Sequence, residues 1–418
     1  MRRPLVAMAA ALVALATSAV ATAGSRPADV RPYSVNVLPS LGGEPSLAVS
    51  PNGRNVMVTG GGANPSRLYL STDGGGHYRA LNPVFPKKGG ADFDIIWLDD
   101  HTLVAADLSL QGDGVLVHRS TDLGATWTST SILNDVYDRP WVAHHGNTVF
   151  VVTRGVADAA YLYISNDGGR SFGSPELMNV GTADGGLGPP EAVGLVVQNI
   201  ATAPDGTLYV LKQHDTGLYV TRRVPGAFDQ FATYLVSPAS TENGFSWLTT
   251  DRAGNVYVLA HELRGSVLGA WLYVSRDRGK TWSGGVNLSA GTGGSAFGAI
   301  EGGRAGELAL VYLRGETSVS SDTQRWWAEV ARVTGATTAR PHVARVRPLG
   351  EPIHTQGICS LGVLCPPGQN RELLDFISTR IARDGHIYAV VAATTPSTAG
   401  VPKGPYPTGV VFRSTASR

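Results

Sequence analysis

The sequence predicts an all-β fold: a single β-propeller of four-stranded antiparallel blades, seven in number with six as the alternative, closed by pairing of N- and C-terminal strands. Three observations carry this reading. A strand–turn–strand unit recurs seven times along the 418 residues. A short Ser-x-Asp-x-Gly-x-x-aromatic turn recurs in step with it. Apolar residues come in short bursts between turn signals, with no long run at helical spacing. Glycine stands at 52 residues, as a chain of many tight turns requires.

The hairpin copies are PSLAVSPNGRNVMVTG, FDIIWLDDHTLVAADL, RPWVAHHGNTVFVVTR, QNIATAPDGTLYVLKQ, SWLTTDRAGNVYVLAH, GAIEGGRAGELALVYL and FISTRIARDGHIYAVVA. Their turns centre near Gly53, Asp100, Gly146, Gly206, Gly254, Gly306 and Gly385. Most lie roughly 50 residues apart, a blade-length period. The longer last step holds GICSLGVLCPPG and reads as an insertion. A third strand follows each hairpin, the last from Val410 to Phe412, and a fourth leads out of each repeat except the seventh. YSVNVLP, Tyr33 to Pro39, precedes the first hairpin and is expected to supply that missing strand, hiding two sheet edges.

The recurring turn appears as STDGGGHY (Ser71, Asp73, Gly75), STDLGATW (Ser120, Asp122, Gly124, Trp127), SNDGGRSF (Ser165, Asp167, Gly169, Phe172) and SRDRGKTW (Ser275, Asp277, Gly279, Trp282). Ser and Asp side chains can accept nearby backbone N–H groups, glycine can take the left-handed conformation, and the aromatic can bury its ring between sheets. The fourth repeat (TRRVPGAFDQF) and the sixth keep the place of the turn without its motif. The motif resembles the Asp-box, or BNR repeat, of β-propellers in the sialidase/neuraminidase superfamily. The box residues are read as structural.

Residues 1–23 read as a secretory signal peptide: Arg2 and Arg3, an apolar run from Leu5 to about Ala21, and a small-x-small cleavage site at Ala21-Thr22-Ala23. Residues 24–32 are a polar lead-in and 33–418 the propeller, expected to be secreted with no membrane span in the mature protein. Without Arg2 and Arg3 the balance is 32 basic against 33 acidic residues, which gives no footprint for nucleic acid. Cys359 and Cys365 are the only cysteines and are expected to form one disulfide; a metal site there would have only His354 to add. No cofactor and no metal site is expected.

Strand order places hairpin turns and box turns on one face, here the lower. Loops entering first strands and leaving second strands share the upper face, where first strands converge on a central funnel. The entering loops bring Glu44, Asp92, Asp94, Asp138, Arg139, Glu191, Glu242, Arg371, Glu372 and Asp375. The leaving loops bring Asp107, Arg154, His214, Asp215, His261, Glu262, Arg264, Arg314 and Glu316. Asp138, Arg139, Arg371 and Asp375 either face a ligand or form buried Asp–Arg pairs that tie blades together. His214 and His261 stand as ligand-facing candidates.

The resemblance implies a candidate exo-acting glycoside hydrolase on sialic acid or related terminal sugars. Three arginines would hold the substrate carboxylate, a tyrosine activated by glutamate would attack, and an aspartate would serve as acid/base. By loop position these are Arg139, Arg314 and Arg371, Tyr406 with Glu262, and Asp94. The chain departs from the family at the Phe-Arg-Ile-Pro signature, which is absent, and at seven blades instead of six. Two alternatives stand beside hydrolysis: a non-catalytic propeller binding glycan, cell-wall polymer or another small polar ligand, and a scaffold for protein partners.

Overall fold

In the computed structural model, described for residues 33–61, 67–82, 85, 92–109, 114–133, 138–155, 160–178, 196–214, 216–226, 231–238, 245–265, 267–289, 293–317, 323–359, 365–367, 370–395 and 406–415, every repeat folds as one antiparallel sheet. The signal-peptide and lead-in readings, together with Glu191, Asp215 and Glu242, lie outside the described residues.

β1 (Tyr33–Leu38) comes first in the chain. Blade 1 is β2 (Gly43–Val49), β3 (Val56–Gly61), β4 (Arg67–Ser71) and β5 (Arg79–Leu81). Blade 2 is β6 (Phe93–Trp97), β7 (Leu103–Leu108), β8 (Val115–Ser120) and β9 (Thr128–Leu133). Blade 3 is β10 (Trp141–His145), β11 (Thr148–Arg154), β12 (Ala160–Ser165) and β13 (Glu176–Leu177). Blade 4 is β14 (Val196–Thr202), β15 (Leu208–His214), β16 (Gly217–Arg223) and β17 (Phe231–Ser237). Blade 5 is β18 (Trp247–Thr250), β19 (Val256–Arg264), β20 (Val267–Ser275) and β21 (Val286–Asn287). Blade 6 is β22 (Ser295–Gly302), β23 (Leu308–Gly315), β24 (Arg325–Thr334) and β25 (His342–Val346), with β26 (His354–Thr355) added beside β24. Blade 7 is β27 (Ser378–Ile381), β28 (Ile387–Ala393) and β29 (Thr408–Ser414), with β1 as its outer strand.

The ring closes as the sequence predicts. β1 runs antiparallel to β29, from Tyr33 opposite Ser414 to Leu38 opposite Gly409. Inner strands β2, β6, β10, β14, β18, β22 and β27 each pack on the next, and β27 packs back on β2. Apolar residues of β2, β3 and β28 meet in one seam, and those of β4, β6 and β7 in the next. The chain is a seven-bladed β-propeller.

Local chemistry sets the hairpins. At the blade 4 turn, Asp205 Oδ1 accepts Thr207 N at 3.0 Å and Gly206 takes φ +82°, a conformation glycine adopts without strain. The four box turns share one set of bonds. Each Ser Oγ donates to its Asp Oδ1 at 2.7 Å and accepts the Gly N–H at 2.8–2.9 Å. Hydrogen bonds from the backbone and side chain of His77 hold Asp73 well below the usual carboxylate range, and those of Ser171 do the same for Asp167. In Asp277 burial pushes upward, but bonds from Thr281 and Ser275 prevail and hold it at about 2. Trp127 is buried, with Nε1 donating to Gly124 O at 3.0 Å, whereas Tyr78, Phe172 and Trp282 are half-buried. Cys359 and Cys365 are joined in a disulfide in the loop before blade 7.

Candidate functional site

On the upper face, the loops entering blades 1, 2, 3 and 7 bring together Glu44, Asp92, Asp138, Arg139, Arg371 and Asp375. A β-bulge between Gly43 and Ser46 turns Glu44 to φ +46°, a conformation rare for a residue with a side chain. That turn sends its carboxylate inward, where Arg139 Nη1 donates to Oε2 at 3.1 Å and Asp375 N to Oε1 at 3.1 Å. Arg139 Nη2 also donates to Phe93 O at 3.2 Å, and its guanidinium lies 4.5 Å from the Trp141 ring centre and 4.8 Å from that of Phe376. Arg371 forms an ion pair with Asp375, and Arg154 Nη1 stands 3.6 Å from Asp138 Oδ2. One cluster therefore ties four blades, across as many as 331 positions of sequence.

Burial raises the carboxyl pKa values here. For Glu44, burial outweighs the opposing Arg139 charge, and Asp375 adds to the rise. Burial and the neighbouring Glu44 lift Asp92 well above its ordinary value, and Asp138 is raised by burial against a bond from Arg139 N. Asp375 is pushed up to about 6 by burial, with Arg371 opposing. A carboxyl raised in the folded state stabilises it while protonated, below its unfolded pKa near 4, and that contribution is lost as pH rises through 6. Unfolding stability is expected to fall by roughly 1–3 kcal/mol between pH 4 and 7 on account of Asp375. Denaturant titrations at several pH values check this, and Asp375→Asn is expected to flatten the profile in that window. The box aspartates act in the opposite sense and at lower pH, losing their contribution as pH falls below 4.

Beneath the cluster, aromatic rings fill the axis. Trp141 meets Phe376 at 5.0 Å and Trp247 at 5.5 Å between ring centres, and Phe245 meets Phe376 at 4.7 Å. The funnel expected on the upper face is plugged by these rings, because the inner strands of blades 3 and 5 begin with tryptophan. The open part of the axis lies below them, a cavity of about 230 Å³ lined by Trp141, Trp247, Asn199 and Thr250, with Glu301 and Arg380 toward its lower end. Arg380 Nη1 lies 4.0 Å from Glu301 Oε2, and the enclosing walls raise the Glu301 pKa against that charge. Sequence reasoning missed this pair. Its signal was a charged residue near the end of an inner strand (AIEGG, STRIA), where blades 4 and 5 end in threonine.

The other candidates stand apart from the cluster. Asp94 accepts Ser46 Oγ at 2.8 Å and Val142 N at 3.0 Å, joining blades 1, 2 and 3. In blade 4, Asn199 bridges to Leu248 in the same way. Glu262 is buried at blade 5, where it accepts Tyr273 Oη at 2.6 Å and Arg264 Nε at 3.0 Å, with Ser237 of blade 4 at 3.0 Å from the tyrosine. A Tyr–Glu pair thus exists, but its tyrosine is Tyr273, whose pKa is raised by burial and by Glu262. No hydrogen bond among the described residues joins Tyr406, half-buried before β29, to Glu262 or Asp94. Arg314 lies one residue before the end of β23, near Tyr312, whose hydroxyl donates to Glu329, and shares no ion pair with the upper cluster among the described residues. His261 is fully buried, accepts Gly298 N at Nε2 (2.8 Å), and is pushed down to about 4 by burial. His214 Nδ1 lies 2.8 Å from Thr216 Oγ1 in a turn. Of the three candidate arginines, the structure brings Arg139 and Arg371 together, each on a carboxylate of this chain.

No protein-family model matches the chain, and no curated protein matches it. Solved structures do. YCF48 bound to D1 peptide aligns with a TM-score of 0.53 at 12% identity, over 94% of this chain and 99% of that one. YCF48 from Cyanidioschyzon merolae aligns with a TM-score of 0.49 at 13% identity, over 92% and 98%. An intramolecular trans-sialidase from Ruminococcus gnavus in complex with oseltamivir carboxylate aligns with a TM-score of 0.43 at 12% identity, over 88% and 94%. The likeness is one of fold.

Proposed function

We propose that this chain is a non-catalytic binding propeller, a scaffold whose upper face docks a polypeptide segment carrying a basic side chain. The observation that carries this reading is the pairing of Arg139 with Glu44 and of Arg371 with Asp375. Both guanidiniums already hold carboxylates of the chain itself, so a substrate carboxylate would have to displace buried partners. Among the ion pairs of the cluster the most exposed carboxyl is Asp138, with 39% of its side chain open to solvent, and its contact with Arg154 is a long one of 3.6 Å that a partner's basic side chain would replace. The fold likeness to YCF48, a propeller described as bound to a peptide, supports a polypeptide over a sugar.

A peptide array probed with the purified protein tests this. Capture is expected on Lys- and Arg-bearing peptides, and Asp138→Asn is expected to weaken it about tenfold, a change near 1.4 kcal/mol. Fluorogenic glycosides, sialosides included, are expected to show no turnover. Hydrolysis of any of them that Arg371→Ala abolished, or capture on a glycan array in place of peptides, would overturn the proposal.

The same reading includes export with cleavage after Ala23, supported by the Cys359–Cys365 disulfide, which suits an oxidising compartment. The intact mass of protein recovered from outside the cytoplasm checks it.

A further inference from the structure

Three successive hairpin turns on the lower face carry an arginine at the same position. In blades 5, 6 and 7 the turn is closed by Asp251 N to Asn255 O (3.1 Å), Gly303 N to Glu307 O (2.8 Å) and Ala382 N to His386 O (2.9 Å). The second residue of each is Arg252, Arg304 or Arg383. Blade 4 closes the same five-residue turn from Ala203 N to Thr207 O at 2.9 Å, with Pro204 in that place. Proline is the residue that turn geometry favours there, so nothing in the turn itself asks for arginine. All three side chains are exposed, and none makes an ion pair or a hydrogen bond among the described residues.

The turns are tied to one another. Arg252 N donates to Gly303 O at 3.1 Å and Gly306 N to Asp251 Oδ2 at 2.8 Å, joining blades 5 and 6. Arg332 of blade 6 donates from Nη2 to Gly385 O of blade 7 at 2.5 Å. The carboxylates of these turns have other partners: Asp251 is buried and accepts Tyr257 Oη at 2.6 Å, Glu307 pairs with Arg332, and Asp384 Oδ1 accepts His386 N at 3.0 Å. Across the mouth, Asp99 and Asp100 of blade 2 accept backbone N–H groups of blades 2 and 1. All seven hairpin turns around the mouth are among the described residues, so the cationic arc over blades 5–7 has no hidden counter-turn.

Inside the arc lies the axial cavity of about 230 Å³. Ile96, His144, Ala201, Thr249, Glu301 and Arg380 form one level of its wall, each opposite the second residue of the adjoining strand. Arg380 is the one arginine at that level, three residues before Arg383 as Glu301 is three before Arg304. Its Nη1 donates only within its own strand, to Ser378 Oγ at 3.3 Å and Thr379 O at 2.8 Å. Glu301 Oε2, at 4.0 Å, is beyond hydrogen-bond length. Arg380 Nε and Nη2 make no hydrogen bond among the described residues and are donors left for a ligand in the cavity.

We propose that the lower mouth of the axis docks an acidic segment of a partner polypeptide, with one carboxylate on Arg380 inside and its neighbours on Arg252, Arg304 and Arg383 at the rim. Guanidinium forks match carboxylate geometry, and a one-signed arc steers an oppositely charged partner. At ~30 Å³ per water the cavity has room for about eight waters, enough for one acidic side chain. That favours a flexible polypeptide over an anionic bilayer, whose flat array of headgroups would meet the turn tips alone. The site lies at the opposite end of the axis from the Glu44–Arg139 cluster and does not rest on docking there.

The probe is an end-blocked, fluorophore-labelled hexaglutamate peptide, its anisotropy followed as the full protein is added at low salt. Saturable binding is expected, weakening as salt is raised. The variant with Arg252→Ala, Arg304→Ala and Arg383→Ala together is expected to bind at least about tenfold more weakly with the parent's urea midpoint, because these side chains touch nothing else, and Arg380→Gln to lose about as much. Arg54→Ala, an exposed lower-face arginine on blade 1, is expected to leave binding unchanged, and Glu301→Gln to leave it equal or tighter. No saturable binding at millimolar peptide, full binding in the triple variant, an equal loss in Arg54→Ala, or a loss in Glu301→Gln would overturn the proposal. Phosphatidylglycerol vesicles or inorganic polyphosphate bound more tightly than the peptide, or a peptide affinity indifferent to Arg380→Gln, would overturn the assignment to an acidic side chain.

Discussion

Trp127→Ala is expected to lower unfolding stability by about 3–5 kcal/mol, the usual loss for a large buried aromatic that leaves a cavity. The ring is 5% exposed and packs in the seam between blades 1 and 2 with Met57, Leu68, Leu70 and Phe93. Phe85 lies 5.3 Å from it centre to centre, and its Nε1 is bonded to Gly124 O, so a smaller residue loses both the packing and the bond that ties ring to turn. The matching Trp282 of blade 5 is only half-buried, and its Nε1 has no hydrogen-bond partner among the described residues. Trp282→Ala is expected to cost less, roughly 1–3 kcal/mol. Urea midpoints of the two variants check the order. A Trp127 variant as stable as the parent would show that the box aromatic does not hold the seam. Peptide binding at the upper face is expected to survive in the folded fraction, since that seam lies away from the Glu44–Arg139 cluster.

Much of the ring is legible in the sequence because each blade is written locally. Turn glycines, strand alternation and the box all act within a few residues of one another, so seven hairpins can be counted without knowing how they meet. The closing strand is legible for a similar reason: Tyr33 to Leu38 is a strand without a hairpin, and blade 7 is a hairpin and third strand without a fourth. The site is less legible because its partners are joined only by the ring. Glu44 and Arg139 are 95 positions apart, and Glu44 and Asp375 are 331 apart. Spacing names such residues as neighbours of the axis but cannot say which carboxylate takes which arginine. The same limit holds for Glu262, grouped with Tyr406 by loop position: it stands opposite Gly269 in the β19–β20 pairing and accepts the hydroxyl of Tyr273, four residues further along β20. The aromatic plug is written in single residues at or just before three inner strands, Trp141, Trp247 and Phe376, and only convergence on one axis makes them a stopper.

Arg139→Ala tests whether the upper cluster is a structural tie under the docking face or a clamp that waits for an anionic ligand. Glu44 and Arg139 are 5% and 4% exposed, so removing the guanidinium leaves a carboxylate in a site built for a pair. Breaking a buried pair in this way costs about 3–5 kcal/mol, whereas replacing both partners with neutral groups of similar volume costs much less. Arg139→Ala is therefore expected to be strongly destabilising, and Arg139→Met likewise, with Glu44→Gln combined with Arg139→Met recovering most of the loss, a coupling that the double-mutant cycle of parent, Glu44→Gln, Arg139→Met and the double variant reads directly. The sign of the pH dependence follows from Glu44. Its pKa is already raised by burial, with Arg139 the largest opposing charge, and without that arginine it rises further. A protonated Glu44 needs no cation, so the penalty is expected to be small below pH 4 and to grow as pH rises toward neutrality. A clamp predicts a different pattern: stability near that of the parent at every pH, no recovery from Glu44→Gln, and a loss confined to ligand affinity. Urea titrations of the four proteins at pH 4 and 7 separate the two outcomes.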